Sequence, residues 1–76
     1  MSFQAYLDNI EAKTGRSPDD FRRYAAEKGW ADPSGLRPGV KAGVIVDDLK
    51  AQFGLGHGHA MAIVALLKGA KREGDA

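Results

Sequence analysis

Gln52-Phe53-Gly54-Leu55-Gly56-His57-Gly58-His59-Ala60 divides the second half of the chain into two helices. Its glycines permit backbone conformations that other residues resist, and Gly54 is placed to end a helix by turning left-handed. Upstream, the spacing predicts a helix from about Val40 to Phe53 with Val44, Ile45, Leu49 and Phe53 on one face. Downstream it predicts another, from about His57 to Lys71, with Ala60, Ile63, Val64 and Leu67 turned inward. Gly43-Val44-Ile45-Val46 is β-branched, yet it leads straight into Asp47-Asp48-Leu49-Lys50 with no turn residues, so no strand competes.

Working outward, residues 30–39 (WADPSGLRPG) hold two prolines and two glycines and cannot continue a helix. Trp30 and Leu36 make this an ordered connector, because a side chain of leucine size gains about 1.5 to 3 kcal/mol on burial. Before it, Ser17-Pro18-Asp19-Asp20 supplies a capping hydroxyl, a proline where no amide partner is needed, and two carboxylates at the positive end of a helix dipole. The helix so opened buries Phe21, Tyr24 and Ala25 and stops at Gly29. The first helix runs from Ser2, its cap, to Gly15, with Phe3, Tyr6, Leu7 and Ile10 on one face. The expected fold class is therefore all-α, a small four-helix orthogonal or irregular bundle. One helix hairpin would join the first pair and another the second pair, with Trp30 and Leu36 sealing the join. Residues 1–71 form a single helical domain, and residues 72–76, which lack apolar anchors, are expected to fray.

Seventy-six residues leave room for one core only. The chain has no cysteine, which excludes disulfides, thiolate metal sites and cysteine nucleophiles and fits a reducing, cytoplasmic setting. Acidic residues within the first dozen positions argue against a secretory leader, and the longest apolar run, Ala60 to Leu67, falls far short of the roughly 20 residues that span a bilayer. No membrane partner is expected. Eleven basic and ten acidic residues give a net charge of +1, so the chain as a whole makes no electrostatic case for nucleic acid.

Functional signal is concentrated at the glycine-rich junction. Gly56 or Gly58 would leave the first amides of the last helix unobstructed, which is what anion binding at a helix N-terminus requires. His57 and His59 could face one zinc ion if extended, whereas within a helix the two diverge; either way a third ligand is lacking, and one imidazole packing while the other is solvated is the plain reading. No serine or threonine nucleophile sits in a matching motif and no carboxylates pair for acid–base work, so neither an enzyme nor a cofactor is expected. Lys68, Lys71 and Arg72 oppose the negative end of the last helix dipole and could also contact phosphates.

Gly54-Leu55-Gly56-His57-Gly58-His59-Ala60-Met61-Ala62-Ile63-Val64 is similar to the second half of a helix-hairpin-helix motif. Gly54, Leu55, Gly56, Ala60 and the apolar Ile63 match position by position. Phe53 stands where that motif often has proline, and Gly58 where it often has lysine. The resemblance implies contact with a DNA backbone phosphate through main-chain amides, without sequence specificity.

Over nearly its whole length the chain also resembles a family of short uncharacterised bacterial domains, domain of unknown function 4287. The likeness lies in the opening Ser2 to Gly15, in Ser17-Pro18-Asp19-Asp20-Phe21, and in Phe53 to Ala60 with the apolar helix behind it. It implies a bacterial cytoplasmic protein and marks the junction as a family hallmark, and it brings no activity. The expectation is a small non-catalytic binding module. Its candidate anion or nucleic-acid site comprises Gly54, Gly56, His57, Gly58, His59, Lys68 and Lys71; the alternative is a protein-interaction or scaffold domain whose junction is structural.

Overall fold

The computed structural model describes residues 2–32 and 34–75. Four helices and one minimal hairpin follow in order: α1 (Phe3–Thr14), α2 (Pro18–Lys28), β1 (Ala31–Asp32), β2 (Gly35–Leu36), α3 (Ala42–Phe53) and α4 (His57–Lys68). The protein is a small all-α domain with a two-residue antiparallel pair inserted in its connector.

The helix ends follow from local chemistry. The Ser2 hydroxyl accepts from the Ala5 amide, and Ser17 and Asp20 exchange bonds in a reciprocal capping box that holds the Asp20 carboxyl below its ordinary range. Gly15, Gly29, Gly54 and Gly69 close the four helices in the left-handed conformation. α4 therefore stops at Lys68, three residues short of the expected Lys71. α3 begins two residues later than expected, at Ala42.

α4 is the centre of the molecule. Ala60, Ala62, Ile63, Val64, Leu66 and Leu67 are all buried on it, and α1, α2, α3 and β2 each pack against it. α3 and α4 form the expected hairpin, but α1 packs chiefly on α4, and α2 on β1 and α4, rather than on one another. Nothing local specifies that arrangement; the nearly all-round apolar surface of α4 is what draws the others onto it.

One buried face differs from expectation. Val44 is 56% exposed, whereas Val46 is buried beside Ile45 and Leu49. At about 100° per residue Val44 lies across the helix from Leu49 and Phe53, so it cannot share their face. In the connector, Ala31 pairs with Leu36 and Asp32 with Gly35, and the Arg37 amide donates to the Trp30 carbonyl at 2.8 Å. Trp30 and Leu36 pack against the core as expected. The tail, expected to fray, is held in its described part: Arg22 grips Glu73 at 2.7 and 2.8 Å, and the Gly74 amide donates to Gln4 Oε1 at 2.8 Å. Its polar side chains find partners that a search for apolar anchors overlooks. Ala76 lies outside the described residues.

Candidate functional site: the α3–α4 junction

Three residues, Gly54 to Gly56, carry the chain from α3 into α4. Gly54 sits at φ 65°, ψ 24°, with its amide bonded back to the Lys50 carbonyl at 3.1 Å. Leu55, only 3% exposed, drives the turn into the core and anchors it there. Gly56 returns to extended backbone at φ −72°, ψ 167° and takes the capping position of α4 with no side chain to offer. Its carbonyl accepts from the Ala60 amide at 2.9 Å, which starts the helix.

The first three amides of α4 belong to His57, Gly58 and His59. Among the described residues none of them meets an acceptor, as expected for the first turn of a helix without a side-chain cap. Gly56, His57 and Gly58 are exposed, and a Cβ placed on either glycine would meet nothing within 4 Å. The amides thus open to solvent at the positive end of the α4 dipole. α3 also starts without a side-chain cap, behind Lys41, so an uncapped start is not peculiar to α4.

Both histidines lie within the helix, which turns their rings apart. His57 is exposed. His59 is half-buried and meets the ring of Tyr6 edge-on at 5.8 Å. Among the described residues no three potential metal ligands converge.

The structure separates the remaining candidates from the junction. Lys68 is the last residue of α4, roughly 16 Å along the axis from His57 at 1.5 Å per residue. Lys71 lies beyond the helix, with Nζ 5.8 Å from the centre of the Phe3 ring. Lys68 therefore cannot share one anion with Gly56 to His59, and Lys71 is placed beside Phe3 rather than at the junction amides. A cation is brought near the junction instead by Arg16, whose guanidinium stands 5.2 Å over the ring of Phe53, the residue before Gly54. Sequence reasoning passed over Arg16 because it sits in the α1–α2 turn, and only folding brings that turn to the end of α3. A polar recess of about 250 Å³ beside Arg22, Ser34, Gly35 and Arg72 lies at the opposite end of α4. Arg22 is committed there to Asp19 and Glu73.

Four short helices on one core, with a glycine-rich junction exposed at one end, define the class: a small all-α domain. It belongs to the family described as Domain of unknown function (DUF4287), whose model matches residues 2–69, from the cap of α1 to the glycine that closes α4. No curated protein and no solved structure matches the chain. Among the described residues no helix is long and apolar enough to cross a membrane.

Proposed function

We propose that this chain is a small, non-catalytic binding module of a reducing cytoplasm, and that the α3–α4 junction grips a phosphodiester backbone without reading its sequence. The observation that carries the reading is the set of unengaged amides of His57, Gly58 and His59, opening to solvent between glycines. Such a set donates to phosphate oxygens and reads no base edge. Arg16 adds a cation at the same end of the fold. The likeness of Gly54 to Ile63 to a helix-hairpin-helix half points the same way. The non-catalytic part rests on the imidazoles, neither of which has a hydrogen bond or ion pair among the described residues.

The test is an amide titration of the full chain with short duplex DNA at low salt. Resonances of Gly56 to His59 should move while Ala42 to Val44, at the equally uncapped start of α3, stay still. Affinity should fall by roughly one decade per decade of salt for each phosphate neutralised. Gly56→Ser and Gly56→Asp supply an acceptor that occupies the same amides; both should abolish binding without lowering the melting temperature. Unmoved junction resonances, or undiminished binding by both variants, would overturn the reading.

A second reading, a protein-interaction domain with a structural junction, is favoured by a different observation. Leu55 and Ala60 are 3% and 0% exposed, so the turn serves close packing of α3 on α4, and an apolar groove lies elsewhere on α4.

A further inference from the structure

Large apolar side chains are rarely left in water without company, and of the three exposed among the described residues two stand together. Tyr6 on α1 and Met61 on α4 are 36% and 41% exposed and form the walls of a groove of about 290 Å³. Its floor is Gly58, Ala62 and Ala65, one stripe of α4 whose small side chains let another backbone approach closely. Phe3 and Lys71 close one end.

Among the described residues, the side-chain charge flanking this groove has one sign. α4 contains no carboxylate along its whole length. On α1, Asp8 and Glu11 lie about 140° to 160° around the helix from Tyr6, on the far side, where Asp8 accepts from the Gln4 amide nitrogen at 2.9 Å. Lys13, two turns beyond Tyr6, is on the groove side, and Lys68, two turns beyond Met61, continues that stripe. Lys71 lies over Phe3 at the groove's end. The tail carboxylates are committed elsewhere, Glu73 to Arg22 and Asp75 to the Arg72 amide at 2.9 Å.

We propose that the α1–α4 groove is a docking surface for an acidic amphipathic helix of a partner protein. A helix suits a cleft between two helices with a small-residue floor, laying apolar anchors between Tyr6 and Met61. Carboxylates on its flanks then meet Lys13 and Lys68, which sets orientation and speeds encounter. A second copy of the chain does not supply that shape. Asp8 with Glu11 carries no large apolar anchor, Asp19 and Asp20 are engaged by Arg22 and Arg23, and on α3 Asp47 has only Val44 beside it, one anchor where the groove takes several, while Asp48 is held by Tyr24 and Lys28.

The experiment titrates the isotope-labelled full chain with a synthetic helical peptide bearing leucines at i, i+3, i+4 and i+7 and glutamates on both flanks. A lysine-for-glutamate version and short duplex DNA serve as comparisons. Saturable shifts at Tyr6, the Met61 methyl, Ala62 and Ala65 are expected with the acidic peptide alone. Met61→Glu, at an exposed position, and the pair Lys13→Glu with Lys68→Glu should each weaken binding about tenfold or more, with the fold unchanged by circular dichroism. Gly56→Asp should bind the peptide normally, which separates this surface from the phosphate reading of the junction. Equal binding of both peptides, groove shifts with DNA instead, or groove shifts that track protein concentration without any peptide would each overturn the proposal.

Discussion

Tyr24 of α2 donates its phenolic proton to Asp48 Oδ2 of α3 over 2.7 Å, and Lys28 Nζ stands 3.7 Å from the other oxygen of that carboxylate. The Tyr24 ring also meets Phe53 and Trp30 edge-on, at 5.1 and 5.8 Å. One residue therefore ties α2 to α3 and both to the connector. Burial, and then the neighbouring carboxylate, push the Tyr24 hydroxyl up to about 12 from an ordinary 10.0.

Removing that hydroxyl leaves Asp48 only the longer contact with Lys28 across to α2. Tyr24→Phe should cost about 1 kcal/mol, or roughly 4 to 8 °C in melting temperature for a domain of this size. The raised value makes the bond's contribution complete below pH 10 and lost as pH rises through about 12. Urea melts of the two proteins should differ by a constant amount up to pH 10, and the gap should close above it. A gap unchanged at pH 12 would show that the hydroxyl proton is not what matters.

The tail clasp has the opposite pH signature. Arg22 holds the Glu73 carboxyl down to about 2 from an ordinary 4.5, so its contribution is present above about pH 4.5 and fades as pH falls through about 2. Both side chains are more than one-third exposed, which limits the pair to about 1 kcal/mol or less and makes it sensitive to salt. Glu73→Gln should leave the global melt nearly unchanged at pH 7. Amide exchange at Gly74 should nonetheless speed up severalfold, most visibly at low salt.

Gly35 is the one glycine at which a Cβ would meet a neighbouring element within 4 Å. It sits at φ 130°, and a Cβ there would stand 3.4 Å from the Lys68 carbonyl oxygen. Gly35→Ala would touch the end of α4 at ordinary contact distance, but it forces a side chain onto backbone that only glycine adopts readily and should cost about 1 to 3 kcal/mol. Gly54→Ala, at φ 65° with open space around it, carries the left-handed penalty alone, about 1 kcal/mol. Thermal melts should rank Gly35→Ala as the more damaging; the reverse order would mean that the connector yields to accommodate a methyl group.

Leu55 anchors the junction, and its loss should be felt in both stability and site. Leu55→Ala removes a side chain that is 3% exposed and should destabilise by about 2 to 5 kcal/mol, a large share of what a domain of this size possesses. If the junction binds phosphate as proposed, DNA affinity should fall even at temperatures where the variant remains folded, because the turn that aims the amides is no longer pinned.

Much of this was written in short stretches of the chain. Ser2, the Ser17-Pro18-Asp19-Asp20 start and the glycines at 15, 29 and 54 each act through hydrogen bonds or backbone sterics within four residues of themselves, and the helices begin and end accordingly. The period of α3 even contained the outward turn of Val44, since its separation from Leu49 and Phe53 does not fit one face. The β1–β2 pair was hidden for the converse reason. Two residues a side are too few to alternate, and the pairing is settled by how Trp30 and Leu36 pack on the core.

Which helix stands at the centre, and what shares an end with what, depended on the folded whole. Local sequence determined four helices, their capping residues and a glycine-rich junction between the last two. Tertiary structure decided that α4 gathers the others, that Arg16 stands beside Phe53 while Lys68 and Lys71 lie at the far end, and that Tyr6 and Met61 flank one groove. A helix end is governed by the few residues whose backbone groups it leaves unpaired. The meeting of two helix faces is governed by the total apolar surface the chain can hide at once, a sum that no short segment contains.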